Sequence, residues 1–300
     1  MVRIRKKTLL TAKHLTTHQL TKIHSKDIKL DLTNLFGTDT NRGSDAFLLG
    51  FYSKLGIEYA LKKYGVFNLF EKMGFSDPKV EIHTQDPYQQ RFEIFSQSNG
   101  KKYKLVELVL KRHHHTISAD FPSSVNGRSY EFIFVEWIHL QNPLKKFNED
   151  KPRLPGQDHP GLGGGRLAIE LLMISCKRLR LAGLLAVPEF YHNAEMYSKA
   201  FFFVNPALEG KRKAISRDLL KDFKLSEVSW AIDLNCVYEN NKPFRWFASE
   251  VMLPLDRDLK EYLRSPQYRD AVKITSEEYC YKLDVNCWNE KKTVIKNYQL

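Results

Sequence analysis

The chain has 300 residues, 42% hydrophobic and 27% charged, close to globular averages, which excludes a wholly disordered protein. That length allows one large or two ordinary domains, and no run approaches the roughly 20 apolar residues that a membrane-spanning helix needs. With 47 Lys+Arg against 35 Asp+Glu, the formal net charge is +12. The excess is uneven: residues 1–80 hold 14 basic and 7 acidic side chains, residues 81–205 hold 16 and 13, and residues 206–300 hold 17 and 15. Seven bases (Arg3, Arg5, Lys6, Lys7, Lys13, Lys22 and Lys26) precede the first acid. The charge is thus largely a property of the N-terminal end.

Residues 1–45 are polar, with Gly37 and Gly43 as breakers, and read as a basic arm followed by a loop. No apolar signal segment follows the basic start. The four cysteines (Cys176, Cys236, Cys280 and Cys287) form no CxxC pair. They are expected as reduced thiols in a cytoplasmic protein. From Ala46 to about Met73, apolar residues at helical spacing predict one or two helices, closed by the Gly74–Pro78 stretch. Residues 46–80 therefore read as a helical N-terminal element.

Strands are expected over residues 81–140. Arg91–Ser96 alternates, Asn99-Gly100 is a hairpin signal, and Tyr103–Leu110 is rich in Val and Leu. Asn126-Gly127 marks a second turn. Tyr130–Leu140, aromatic and β-branched nearly throughout, is expected as a central strand buried on both faces. A Pro-rich loop follows, Gln141 to Pro160, and then Gly161-Leu162-Gly163-Gly164-Gly165 runs directly into a helix over Arg166–Arg180. That helix is apolar on more than one stripe, so it is expected largely buried, with Gly183 able to end it. Leu184–Val187 reads as a strand, Asn193–Lys199 as a short helix and Phe201–Val204 as a strand. Beyond them, residues 206–300 read as an α/β extension. It has helices near Ala214–Phe223 and Arg257–Arg264, and strands around Val228–Val237 and Arg245–Leu253.

The segment over 130–187 carries the chemical signal. A glycine run entering a helix exposes backbone N–H groups with no side chains in the way, and the helix dipole adds to their pull on a phosphate or pyrophosphate. The P-loop is excluded, because the glycines are followed by Arg166-Leu167 and not by Lys-Ser/Thr. A dinucleotide fingerprint wants a strand ending at the first glycine, whereas here a Pro-rich loop intervenes.

The remaining pattern resembles the GNAT family of N-acetyltransferases. Its members place a β-meander before a strand, then a (Q/R)xxGx(G/A) turn opening a helix, then a strand and a short helix. Gln157-Asp158-His159-Pro160-Gly161-Leu162-Gly163-Gly164 looks like that turn, with Gln157 one residue further from Gly161 than in the pattern. Downstream, Tyr197-Ser198-Lys199-Ala200-Phe201-Phe202 looks like the family's YxxxGF, with Phe201 where Gly is usual. The resemblance covers about residues 85–205, so 81–205 is expected as an acyl-CoA-binding core. It implies an α+β fold with a mixed, mostly antiparallel central sheet flanked by helices. It also implies an N-acyltransferase that moves an acetyl or other acyl group from acyl-CoA to an amine by direct attack, with no metal expected.

On that resemblance Gln157, Gly161, Leu162, Gly163, Gly164 and Gly165 would hold the coenzyme A pyrophosphate. Asn193 would touch the coenzyme, and Tyr197 would protonate the leaving thiolate. Glu136, amid Phe134, Val135 and Trp137, is the candidate base, with its pKa expected to rise by desolvation. A carboxylate paired with a basic side chain on a neighbouring strand is the competing reading. The amides near Trp137 and Ile138 would polarise the thioester carbonyl if the strand splays there. His113 and His115 share one strand face but need a third ligand to hold a metal. Two other functions compete: a basic nucleic-acid-binding module acting through residues 1–26, and an acyl-CoA-binding protein of the same fold without catalysis. The amine acceptor is not specified by any residue pattern.

Overall fold

The computed structural model describes residues 3–22 and 47–297. In chain order, α1 (Lys6–Lys13) and α2 (Thr17–Thr21) precede a small hairpin, β1 (Phe47–Leu48) and β2 (Tyr52–Ser53), then α3 (Lys54–Tyr64) and α4 (Val66–Glu71). Four long strands follow: β3 (Ser76–His83), β4 (Gln90–Ser98), β5 (Lys101–Thr116) and β6 (Ser129–Leu140). Next come α5 (Gly165–Leu179), β7 (Gly183–Ala186), α6 (Tyr191–Tyr197) and β8 (Phe202–Phe203). The last third holds α7 (Pro206–Leu219), α8 (Leu225–Asp233), β9 (Val237–Glu239), β10 (Lys242–Pro243), β11 (Val251–Pro254) and α9 (Arg257–Arg264). It ends with α10 (Pro266–Glu278), β12 (Tyr281–Leu283) and α11 (Val285–Asn297).

The central sheet has the order β3-β4-β5-β6-β7-β11-β8. Its neighbours are antiparallel except β6 and β7, which run parallel. A parallel pair needs a crossover, and α5 supplies it. The expected α+β class with a mostly antiparallel sheet is what the chain adopts. On one face of the sheet, Ile94, Leu110, Ile133, Val135 and Leu184 pack with Phe70, Met173 and Ile174 of α4 and α5. On the other, Phe132, Leu185 and Met252 pack with Leu259, Tyr262 and Tyr268 of α9 and α10. A separate cluster joins α7, α8 and the β10-β9-β12 sheet through Ile215, Val228, Ile232, Val237 and Tyr281.

The hairpin at Asn99-Gly100 forms as its residues dictate, with φ +49° and +75°. Several expectations are corrected. Residues 3–22 are not an extended arm: Ile4, Thr8, Leu15 and Leu20 are buried, and Arg5 and Thr8 bond Glu170 of α5. The loop expected to follow falls mostly on residues 23–46, outside the described residues. α3 approaches α2 so closely that a Cβ on Gly56 would stand 2.0 Å from the Leu20 carbonyl oxygen. The helix expected from Ala46 starts only at Lys54, after the small hairpin.

Where a strand was expected over Val228–Val237, the chain finishes α8 at Asp233, turns, and enters β9 only at Val237. Val228, Ala231 and Ile232 bury one face of α8, and Glu227 accepts the N–H of Lys224 at its start. Short apolar runs do not distinguish the two periods. Arg245–Leu253 shrinks to a strand at its far end, and α5 ends at Arg180, itself left-handed at φ +57°, not at Gly183. Cys236 and Cys287 form a disulfide tying α11 to the α8–β9 connection, so only Cys176 and Cys280 are free thiols. Among the described residues no helix is long and apolar enough to cross a membrane.

Candidate functional site

β6 changes character half-way along. From Phe132↔Gly183 to Val135↔Ala186 it pairs with β7, and there the pairing stops. On its other edge the register against β5 slips: Leu110 pairs with Val135 and Val109 with Trp137, leaving Glu136 unmatched. This is a β-bulge, which adds twist and re-aims the strand. From Glu136 to His139 the edge that faced β7 is open. The expectation of burial on both faces therefore holds only for Phe132–Val135; Trp137 is 44% and Ile138 37% exposed.

The glycine turn closes the far end of this gap. Leu162 N–H donates to the Leu140 carbonyl at 3.1 Å, and Asn142 N–H to the Pro160 carbonyl at 2.7 Å. The turn is thus fastened to the end of β6. Gly163 has φ +73°, and Gly164 is the N-cap of α5 with no side chain to bond the helix's first amides. A Cβ built on either meets nothing within 4 Å. These first-turn N–H groups and the positive end of a 15-residue helix therefore face open space.

A cavity of about 380 Å³ occupies the wedge. Its walls are β6 from Val135 to Leu140, the turn, and the β7–α6 connection. The structure brings to it Glu136, Trp137, Ile138, Gln157, Gly161, Leu162, Gly163, Gly165, Asn193 and Tyr197. Gly164 instead lines a second, apolar cavity behind the turn. The Tyr197 hydroxyl stands over the turn, 3.3 Å from where a Gly165 Cβ would be, and burial raises its pKa. That keeps the phenol protonated.

Two expected roles are altered. Glu136, its side chain 23% exposed, pairs with Lys111 on β5 at 2.5 Å, the competing reading. Gln157 spends its side-chain oxygen on the Leu154 N–H, and its own carbonyl accepts from Arg153, so it holds the loop together.

His139 and His192 also line the cavity. His139 on β6 is half-buried, and desolvation lowers its pKa, which leaves a neutral imidazole at neutral pH. Alternation along Tyr130–Leu140 was the available signal, since it sets His139 on the same face as Trp137. His192 is 2% exposed, stacks on Phe190, and has no partner for its Nδ1. Burial pushes it down to about 4. Sequence gave no sign of that burial.

His113 and His115 do share a face of β5, their rings 6.4 Å apart and set against Phe134 and Phe132. Among the described residues no third ligand joins them; the one group with metal-ligand spacing is Glu81, His83 and Glu93. There Glu93 already accepts Lys104 at 3.0 Å and His83 at 3.3 Å.

No protein-family model, curated protein or solved structure matches this chain.

Proposed function

We propose that the chain is an acyl-CoA-dependent N-acyltransferase resembling the GNAT enzymes. The observation that carries this reading is the wedge where β6 leaves β7 at the Glu136 bulge, with a side-chain-free helix start fastened to its rim. An extended thioester ligand with a pyrophosphate at one end suits that shape. The pyrophosphate would accept from the first-turn amides of α5. The pantetheine arm would lie along the open edge of β6, with the thioester carbonyl taking an N–H near Trp137 and Ile138.

In this reading a neutral amine attacks the thioester carbon. The C–N bond forms and the C–S bond breaks. His139, neutral and on the cavity wall, takes the amine proton directly or through one water. Glu136, held by Lys111, orients the acceptor. Tyr197 supplies the proton that the departing thiolate takes up.

The test is thermal unfolding of the chain with and without acetyl-CoA, beside Gly165→Asp. Gly165 lines the wedge, and a Cβ there would stand 3.3 Å from the Tyr197 hydroxyl, so the carboxylate enters the space proposed for the pyrophosphate while suiting the helix start. The expected result is a rise of several degrees for the unmodified chain at ligand far above Kd and none for the variant. No rise for the unmodified chain with acetyl-CoA or any longer acyl-CoA would dispose of the reading.

A further inference from the structure

We propose that the acyl group taken by this site is a chain of several carbons, lodged in the apolar cavity between the sheet, α3 and α5. The inference rests on the acyltransferase reading and names its donor class. The cavity holds about 190 Å³ and is walled mainly by aliphatic and aromatic side chains. Ile57, Ala60 and Leu61 of α3 form one side, Val106 and Leu108 of β5 another, and Leu167, Ala168 and Leu171 of α5 the third.

Its position is the argument. Ile138, Leu140, Leu162 and Leu172 belong to the walls of this cavity and of the wedge alike. Ile138 and Leu140 lie at the stretch of β6 assigned to the thioester carbonyl. A carbon chain continuing from that carbonyl therefore meets aliphatic side chains and then an apolar void, while the coenzyme stays in the more polar wedge. Acetyl would leave the void unfilled, and unfilled apolar space forfeits packing contacts.

The experiment is calorimetric titration of the full chain with CoA and with acetyl-, butanoyl-, octanoyl- and dodecanoyl-CoA. Each added methylene is expected to tighten binding about fourfold until the cavity is full, as burial of one CH₂ requires. Ala60→Phe, on α3 and away from the glycine turn, fills part of the cavity and is expected to abolish the gain in affinity from acetyl-CoA to octanoyl-CoA. The series on the unmodified chain decides the matter even where that variant fails to fold. Equal affinity for every chain length would overturn the inference and leave the acyltransferase reading standing. No binding of CoA or of any thioester would overturn both.

Discussion

The two halves of β6 are built for opposite purposes. Over Phe132–Val135 the strand is bonded on both edges and covered on both faces, by α5 on one side and by α9 and α10 on the other. Over Glu136–His139 it keeps only β5, and its aromatic and aliphatic side chains reach solvent or cavities. One unmatched residue, Glu136, separates the two regimes. A single continuous apolar run can therefore supply both a core and a site, with the divide set by where the neighbour strand ends and not by composition.

The comparison is broken most directly at its closed half. Phe132→Ala is expected to cost about 3–5 kcal/mol, as large-to-small changes in a full core do, measured by chemical denaturation. A loss under about 1 kcal/mol would remove the distinction. Next is the acid response of the wall opposite the open half. His192 is neutral in the fold, with its pKa lowered from 6.5 to about 4. The unfolded chain then binds the proton more readily, so this stabilisation is complete above pH 6.5. It is lost as pH falls towards 4, by about 3 kcal/mol in all. His192→Phe should flatten that part of the stability–pH curve.

The open half is sharpened by its titrating group. His139→Gln is expected to lower the transfer rate about a hundredfold with little change in acyl-CoA affinity. In the unmodified chain the rate should fall on acidification below the lowered pKa of His139, and this limb should vanish in the variant. An unaltered acid limb would move the proton transfer elsewhere, with Glu136 the next group on the strand. The smallest effect belongs to Trp137→Ala: stability should stay within about 0.5 kcal/mol, as for exposed positions generally, while the KM for the amine rises.

Much of this was legible in the residues. The meander, the glycine turn and its helix follow from alternation, Asn-Gly turns and a glycine run, all local signals. All but one of the residues assigned to the coenzyme and catalysis converge on one cavity, because strand end, turn and short helix are successive in the chain. What escaped depends on long-range contacts. The charge on Lys111 reached Glu136 only through strand register. The burial of His192 came from elements packed around α6. The basic start is docked on α5 through Glu170, 165 residues away, which pairs with Arg5. Val228–Val237 misled because a short apolar run fits either period.

The two hydrogen bonds that fasten Asn142 to Pro160 and Leu162 to Leu140 make a closed neck for the loop between them. A loop gathered at its neck transmits little of its own rearrangement to what lies beyond. Residues 143–152 can therefore lengthen, shorten or change composition while the helix start keeps its position.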